Sequence, residues 1–208
     1  MGIPVLITGK SGSGKSTSLR NFGEEEIGII NVVGKPMPFR KQFKYIKKTD
    51  SYAVVKAFLT KCPVKSIVID DAGYLMTNQF MKGHASQGAG NAIYSFYNQI
   101  GDDFWQVLIS IINTLPEDVI VYIIMHEDTD DFGNIKPKTI GKMLDEKVNI
   151  PGMFTLVLRS VYENGSYFFK TNTDGIDVCK TPMGMFEEKY IDNDLKAVDE
   201  TIRKYYEI

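Results

Sequence analysis

The sequence predicts an α/β protein in which helices cover a mostly parallel sheet. Short runs that are apolar on both faces indicate buried parallel strands, and they alternate with longer runs at helical spacing. An Asn-Gly pair between two further apolar runs predicts an antiparallel hairpin near the C-terminus. The 208 residues contain no repeat and no linker, so we expect a single domain covering residues 1–208.

The predicted strands are runs of apolar and β-branched residues that end at turn-forming residues. The first four have the two-sided apolar pattern of a sheet covered on both faces, with right-handed crossovers between strands. The last two flank Asn164-Gly165 and form the antiparallel hairpin. In chain order the six runs cover residues 4–8, 27–33, 66–70, 119–125, 153–162 and 167–171.

The predicted helices carry apolar residues three and four positions apart. Asp50 is placed to cap one of them, Gly101 can divide another into two, and Asp192 or Asn193 can cap the last. The polar stretches between these elements are predicted to be loops. The helices cover residues 15–22, 51–61, 92–115 and the segment after 193, and the loops cover 83–91 and 128–137.

A phosphate-binding loop follows the first predicted strand. The pattern G-x-x-x-x-G-K-[ST] is matched without deviation, and a strand before it and a helix after it argue against an incidental Gly/Ser turn. Lys15 is expected to reach the β- and γ-phosphates of ATP, and the Ser16 hydroxyl is expected to ligate Mg²⁺. The predicted ATP-binding residues are Gly9, Lys10, Ser11, Gly12, Ser13, Gly14, Lys15, Ser16 and Thr17.

Two adjacent acids end the strand over residues 66–70. Ligands of open α/β sheets bind at the carboxyl ends of the strands, so Asp70 is expected to hold Mg²⁺, through water. Asp71 is expected to orient and deprotonate the attacking water. The alternative for Asp71 is that it caps the next helix, because Asp is a favoured cap residue.

Further candidate residues follow the other strands. His126 fits a sensor of the γ-phosphate or of the lytic water, as in P-loop ATPases with a strand between the phosphate-loop strand and the acidic strand; a surface histidine is the alternative. Lys136 and Lys138 are candidates for reaching a neighbouring subunit's ATP, unless they are simply solvated. Arg159 competes for that role, since a guanidinium fits phosphate better.

A basic and aromatic segment over residues 38–48 has two interpretations. Arg40, Lys41 and Lys44 alternate with aromatic residues, a pattern suited to the phosphates and bases of single-stranded DNA. The alternative is an edge strand that points its lysines outward and its aromatic residues into the core. The predicted loop over residues 83–91 is a weaker candidate, as a mobile element that orders on DNA.

These residues carry a family resemblance over nearly the whole chain. The chain resembles the small RecA-like P-loop ATPases of bacteriophages, usually described as AAA-family or ATP-binding proteins. The resemblance implies a role in phage recombination, single-strand annealing or replication beside a single-stranded-DNA-binding protein. RecA-type proteins often use glutamate as the water-activating acid, whereas this chain has Asp71. The resemblance rests on residues 9–17, 34–40, 67–71, 138–142 and 182–186.

Three functions follow from these patterns. The first is an oligomeric ATPase stimulated by DNA. The second is a nucleotide-switched accessory module, such as a loader or packaging factor, with little hydrolysis. The third is a small-molecule kinase, which is disfavoured because the arginines are scattered rather than clustered in a lid. The net charge of -2 excludes a surface coated with nucleic acid, and no apolar run spans a bilayer, so we expect a protein of the bacterial host's cytoplasm.

Overall fold

The computed structural model describes residues 1–88, 90–141, 145 and 148–208. In chain order the strands are β1 (Ile3–Thr8), β2 (Ile27–Asn31), β3 (Tyr45–Lys48), β4 (Ser66–Asp70), β5 (Ile120–Ile124), β6 (Glu127–Thr129), β7 (Ile135–Pro137), β8 (Leu156–Glu163), β9 (Ser166–Lys170) and β10 (Tyr190–Asp192). The α-helices are α1 (Tyr52–Lys61), α2 (Gly73–Gly83), α3 (Asn91–Thr114) and α4 (Leu195–Tyr206). Short 3₁₀ turns cover Ser16–Asn21, His84–Ser86 and Ile150–Met153.

An eight-stranded sheet in the order β10-β9-β8-β1-β5-β4-β2-β3 forms the centre of the described chain. The strands from β8 to β3 in that order run parallel, whereas β9 pairs antiparallel with β8 and with β10. Asn164 and Gly165 at the β8–β9 turn have φ of 52° and 82°, the left-handed values that a two-residue hairpin turn requires. The predicted α/β fold with a parallel sheet and a C-terminal hairpin is therefore confirmed.

The sheet is buried on both faces. Successive side chains of β5 point to opposite faces, so Val121 and Ile123 pack with α1, α2 and α3, while Tyr122 and Ile124 pack with α4 and the turn after the phosphate loop. This two-sided cover is the reason that the central strands are apolar throughout. In the described part of the chain, no helix is long and apolar enough to cross a membrane.

Several predicted boundaries were wrong. The segment after the phosphate loop is a six-residue 3₁₀ turn rather than an α-helix over residues 15–22. The helix α3 continues through Gly101, because that residue is buried and the packing of its neighbours Ile100 and Phe104 outweighs the glycine cost of about 1 kcal/mol. The predicted polar loop over residues 128–137 folds back on itself as the β6–β7 hairpin.

The predicted helix caps were also wrong. Ser51, not Asp50, occupies the N-cap of α1, and Asp50 instead accepts a hydrogen bond of 2.9 Å from Asn78 of α2. The cap of α4 is Asp194, whose carboxylate accepts from the backbone of Lys196 at 3.0 Å. Both errors arise because several Asp, Asn and Ser residues precede each helix, and the chain path decides which one reaches the free N–H groups.

Candidate functional site

The candidate site lies where parallel strands present their carboxyl ends at one edge of the sheet. The phosphate loop follows β1, the two acids end β4, and His126 follows β5. Because β5 lies between β1 and β4, its end sits between the loop and the acids. The expected strand between the phosphate-loop strand and the acidic strand is therefore present, and the fold gathers these candidates at one edge of the sheet.

The phosphate loop curls around the ammonium group of its own lysine. Lys15 Nζ donates hydrogen bonds to the carbonyl oxygens of Gly9 at 2.8 Å and Lys10 at 2.7 Å. Gly12 and Gly14 have φ of 79° and 96°, left-handed values that favour glycine. Burial lowers the pKa of Lys15 to about 8, although the nearby carboxylates of Asp71 and Asp70 oppose that shift. The loop is thus already folded around a cation placed for phosphate.

Ser16 and Asp70 form the candidate metal site. The Ser16 hydroxyl donates a hydrogen bond of 2.8 Å to Asp70 Oδ1. Burial, together with the charge of Asp71, raises the pKa of Asp70 to about 6, so the carboxyl group is anionic at neutral pH but poorly solvated. A hydroxyl and a carboxylate are hard oxygen ligands, and a buried anion gains from a cation beside it, so the pair fits Mg²⁺.

Asp71 turns its buried carboxylate towards Lys35 and His126. Its φ of 60° is unusual for a residue other than glycine. Asp71 Oδ2 lies 2.5 Å from Lys35 Nζ, and Oδ1 lies 3.4 Å from His126 Nε2. Burial by itself would raise the pKa of Asp71, but hydrogen bonding with His126 and the charge of Lys35 hold it below its usual value. Ala72 occupies the N-cap of α2 and no side chain caps that helix, so the capping alternative does not describe this turn.

A cleft of about 460 Å³ is lined by residues from several loops, including Lys35 and His126, the two partners of Asp71. Lys138 is another of the lining residues. Its backbone N–H donates a hydrogen bond of 2.7 Å to the His126 carbonyl, and this bond holds the β6–β7 hairpin against the strand end. His126 also packs edge-on against Tyr74 of α2, with ring centroids 6.0 Å apart. The other lining residues are Ser11, Gly73, Thr77, Glu127 and Thr139.

The two other candidates for acting on a neighbouring subunit have partners within their own chain. Lys136 Nζ lies 2.5 Å from Asp145 Oδ2. Arg159 makes a two-pronged ion pair with Glu127, with Nε and Nη2 each 2.8 Å from a carboxylate oxygen. This pair braces the wall of the cleft, because Glu127 is almost fully buried and its backbone N–H donates to the Gly9 carbonyl at 3.3 Å.

The structure adds two residues that the sequence analysis did not select. Lys35 follows the end of β2, and Glu127 follows His126 at the end of β5. Both belong to segments that follow the carboxyl end of a parallel strand. That position in the sequence could have identified them as candidates. Lys35 lies in the segment over residues 34–40 that carries the family resemblance, but the sequence assigned it no role, and Glu127 belongs to none of the recognised motifs. Only the three-dimensional contacts reveal what these two side chains touch.

Two of the three candidate DNA-binding residues, Arg40 and Lys41, line a groove bordered by the edge strand β3. Arg40 is exposed in this groove. Lys41 instead donates from Nζ to the carbonyl oxygens of Arg20 and Phe22, at 2.5 and 2.7 Å, and Lys44 pairs with the exposed Glu25 at 3.0 Å. Residues 45–48 form the edge strand of the alternative interpretation, with exposed lysines. The predicted role of 83–91 on DNA involves residue 89, and the motif over 138–142 involves residue 142; both lie outside the described residues.

Comparisons with known proteins found a matching protein family and similar solved structures. The model of a protein family described as an AAA domain matches residues 1–183. The crystal structure of a KaiC-like protein from the hyperthermophilic archaeon Pyrococcus horikoshii is similar, with 12% sequence identity and a TM-score of 0.47, over 81% of this chain and 78% of that one. No curated protein matches the sequence.

Proposed function

This chain belongs to the family of AAA domains, and from that premise we propose that it is an ATPase that hydrolyses ATP with Mg²⁺ to ADP and phosphate. One observation carries the proposal: Ser16 Oγ lies 2.8 Å from Asp70 Oδ1, beside a phosphate loop already folded around Lys15. A hydroxyl and a carboxylate from distant segments meet where a metal and a triphosphate are needed together.

The chain's own groups divide the work of hydrolysis. The amides of the phosphate loop and the Lys15 ammonium bind the β- and γ-phosphates. Asp71 accepts a proton from water as the water oxygen attacks the γ-phosphorus and the bond to the β–γ bridging oxygen breaks. His126, beside Asp71, is placed to orient that water. Ser16 and Asp70 would hold Mg²⁺, which would supply positive charge beside the β- and γ-phosphates.

Asp71 is a better candidate for the base than Glu127. Glu127 lines the cleft but is occupied by both prongs of Arg159, whereas Asp71 lies behind Lys35 and His126, which line the same cleft. Asp71 faces a half-exposed lysine and a histidine, partners that can move. A base must exchange its proton with water during each turnover, so the less constrained carboxylate suits the role.

We further propose that single-stranded DNA binds the groove along residues 38–48 and stimulates turnover in a homo-oligomer. The exposed Arg40 and the half-exposed Lys44 supply cations, and Lys35 lines both this groove and the nucleotide cleft. The resemblance to phage ATPases supports a place in recombination, annealing or replication beside a single-stranded-DNA-binding protein in a bacterial host. DNA bound in this groove then lies next to Lys35, which contacts Asp71.

A second candidate is a nucleotide-switched accessory module with little hydrolysis. The observation that favours it is the ion pair between Lys35 and Asp71, 2.5 Å long, which occupies the proposed base. Slow turnover that is unaffected by Asp71→Asn would support this second function, since a switch needs binding rather than proton transfer.

The deciding experiment measures phosphate release against protein concentration, with and without single-stranded DNA. We expect Mg²⁺-dependent release that rises cooperatively with concentration and increases with DNA. Lys15→Ala is expected to abolish nucleotide binding or hydrolysis, whereas Lys10→Ala, which removes an exposed side chain and keeps the loop backbone, should retain most of it. Normal turnover in Lys15→Ala would refute the site.

A further inference from the structure

Lys35 has a backbone that is held by hydrogen bonds and a side chain that is half exposed to solvent. The Asn31 side chain holds the turn after β2 by accepting from Gly34 N at 2.7 Å and donating to the Lys35 carbonyl at 2.7 Å. Gly34 has a φ of 77°, which lets the chain reverse there. The Lys35 side chain is 47% exposed, while its partner Asp71 is 3% exposed. The anion is therefore held in place and the cation can leave.

The surroundings of Lys35 are suited to a polyphosphate. Its side chain lines the same cleft as Ser11 of the phosphate loop and His126. The Lys35 charge is among the influences that lower the pKa of Lys15, which places the two ammonium groups within electrostatic reach of each other. Lys138 lines the same cleft, so several cations face it. A triphosphate entering the cleft supplies the negative charge that these cations need.

We propose that Lys35 is a γ-phosphate ligand that exchanges partners, pairing with Asp71 in the nucleotide-free chain and with the γ-phosphate when ATP binds. This role rests on the proposed function, whose division of work among residues did not include Lys35. The exchange has two consequences. It releases Asp71 to accept the proton of the attacking water, and it makes the chain distinguish ATP from ADP, which has no γ-phosphate.

A competing explanation is that Lys35 only neutralises a buried carboxylate. Under that explanation, Lys35→Ala weakens nucleotide binding because it leaves Asp71 unpaired beside the phosphates. The Asp71→Asn background removes this ambiguity, since the neutral side chain needs no counter-ion. That background also slows hydrolysis under the proposed function, so ATP persists during the measurement.

The experiment compares the dissociation constants of fluorescent ATP and ADP analogues, with Mg²⁺, for Asp71→Asn and for the Asp71→Asn/Lys35→Ala double variant. We expect the added Lys35→Ala change to weaken ATP binding by about tenfold or more, the usual effect of losing a charge-assisted hydrogen bond, and to leave ADP binding within about twofold. Lys35→Arg should keep the preference for ATP. Lys47→Ala, which removes an exposed lysine from the neighbouring β3, should change neither constant.

Equal losses for ATP and ADP, or no loss for either, would overturn the inference while leaving the proposed function intact. If the unaltered chain binds neither nucleotide, the proposed function fails and the inference fails with it. Circular dichroism of each variant confirms that the comparison is made between folded chains.

Discussion

Asp70 and Asp71 are consecutive and both buried, yet their pKa values shift in opposite directions. Burial raises the pKa of Asp70 to about 6, because its main partner is the neutral hydroxyl of Ser16. Asp71 meets the same burial penalty, but Lys35 and His126 stabilise its charge and hold its pKa below the usual value. The turn at Asp71, with its φ of 60°, separates the two carboxylates into these different surroundings.

Asp70→Asn should therefore stabilise the nucleotide-free chain at neutral pH. The shift from 3.8 to about 6 corresponds to a cost on the order of 3 kcal/mol for the buried charge. The folded chain binds this proton more tightly than the unfolded chain, so stability falls as pH rises from about 4 through 6. Urea unfolding at pH 7.5 and at pH 4.5 should show a gain in the free energy of unfolding at the higher pH only.

Asp71→Asn is the matched control, and it should destabilise the chain at neutral pH. The charge of Asp71 is stabilised by its partners, so its contribution is present above the unfolded pKa and is lost as pH falls through the lower folded pKa. Asn tolerates a left-handed backbone, so the change tests the charge rather than the turn. Equal effects of the two substitutions would contradict the assignment of opposite environments.

Asp70→Asn should also weaken the binding of Mg²⁺ that accompanies ATP binding. The amide keeps an oxygen that can accept from Ser16, but it lacks the charge that a hard cation prefers. Titrating Mg²⁺ at fixed ATP should require a much higher metal concentration for half-maximal binding. In the unaltered chain, affinity for Mg²⁺-bound ATP should decrease as pH falls through 6, because Asp70 gains a proton there.

His126→Ala should lower turnover by about 100-fold while changing ATP affinity little. The imidazole lies 3.4 Å from Asp71 and lines the cleft, so it acts on the water and not on the phosphate loop. Steady-state kinetics should show the loss in kcat. His84→Ala is the control, since that ring bonds to the Phe80 carbonyl at the far end of α2. A rise in KM with no change in kcat would contradict the assignment.

Arg40→Ala with Lys44→Ala should reduce the salt dependence of single-stranded-DNA binding. Each phosphate contact contributes about 0.7 to the slope of log affinity against log salt, so the slope should flatten by about 1.4. Lys41 is left out because its ammonium group is occupied by two backbone carbonyls. Lys56→Ala with Lys61→Ala on α1 removes the same charge from another surface. An unchanged slope in the first variant would exclude the groove.

Lys138→Ala should reduce turnover within its own subunit. The residue lines the cleft of the chain that carries it, held there by the backbone bond from Lys138 to His126. Mixing Lys138→Ala with Asp71→Asn should therefore restore no activity beyond the sum of the two. Partial recovery on mixing would show instead that the lysine serves a neighbouring subunit.

Arg159→Ala should lower the free energy of unfolding by about 3 kcal/mol, since breaking a buried ion pair leaves the other charge unpaired. The almost fully buried Glu127 would lose both prongs of its partner. Chemical denaturation measures this loss, with the exposed Arg40→Ala as the control. Unchanged stability with strongly reduced turnover would favour the alternative, in which Arg159 reaches a neighbour's nucleotide.

The phosphate loop, the central strands and the hairpin were predictable because their signals are local. In the loop, glycine positions and one lysine within a few residues determine the backbone curl. In the hairpin, Asn164 and Gly165 supply the left-handed turn themselves. Asp70 was predictable because a carboxylate at the end of an apolar strand reaches the ligand edge in this fold class, whatever the neighbouring strands are.

The remaining contacts depend on which segments the fold brings together. Strand order places β5 between β1 and β4, and this puts His126 beside Asp71 across 55 positions of the chain (126 minus 71). The pairs Lys35–Asp71 and Glu127–Arg159 have the same origin: a charge that is buried must find a counter-charge, and only the packed chain decides which one is near. Local patterns determine backbone shape, whereas the pairing of distant charges is determined by tertiary structure, because electrostatic interactions depend on distance and burial and not on separation along the sequence.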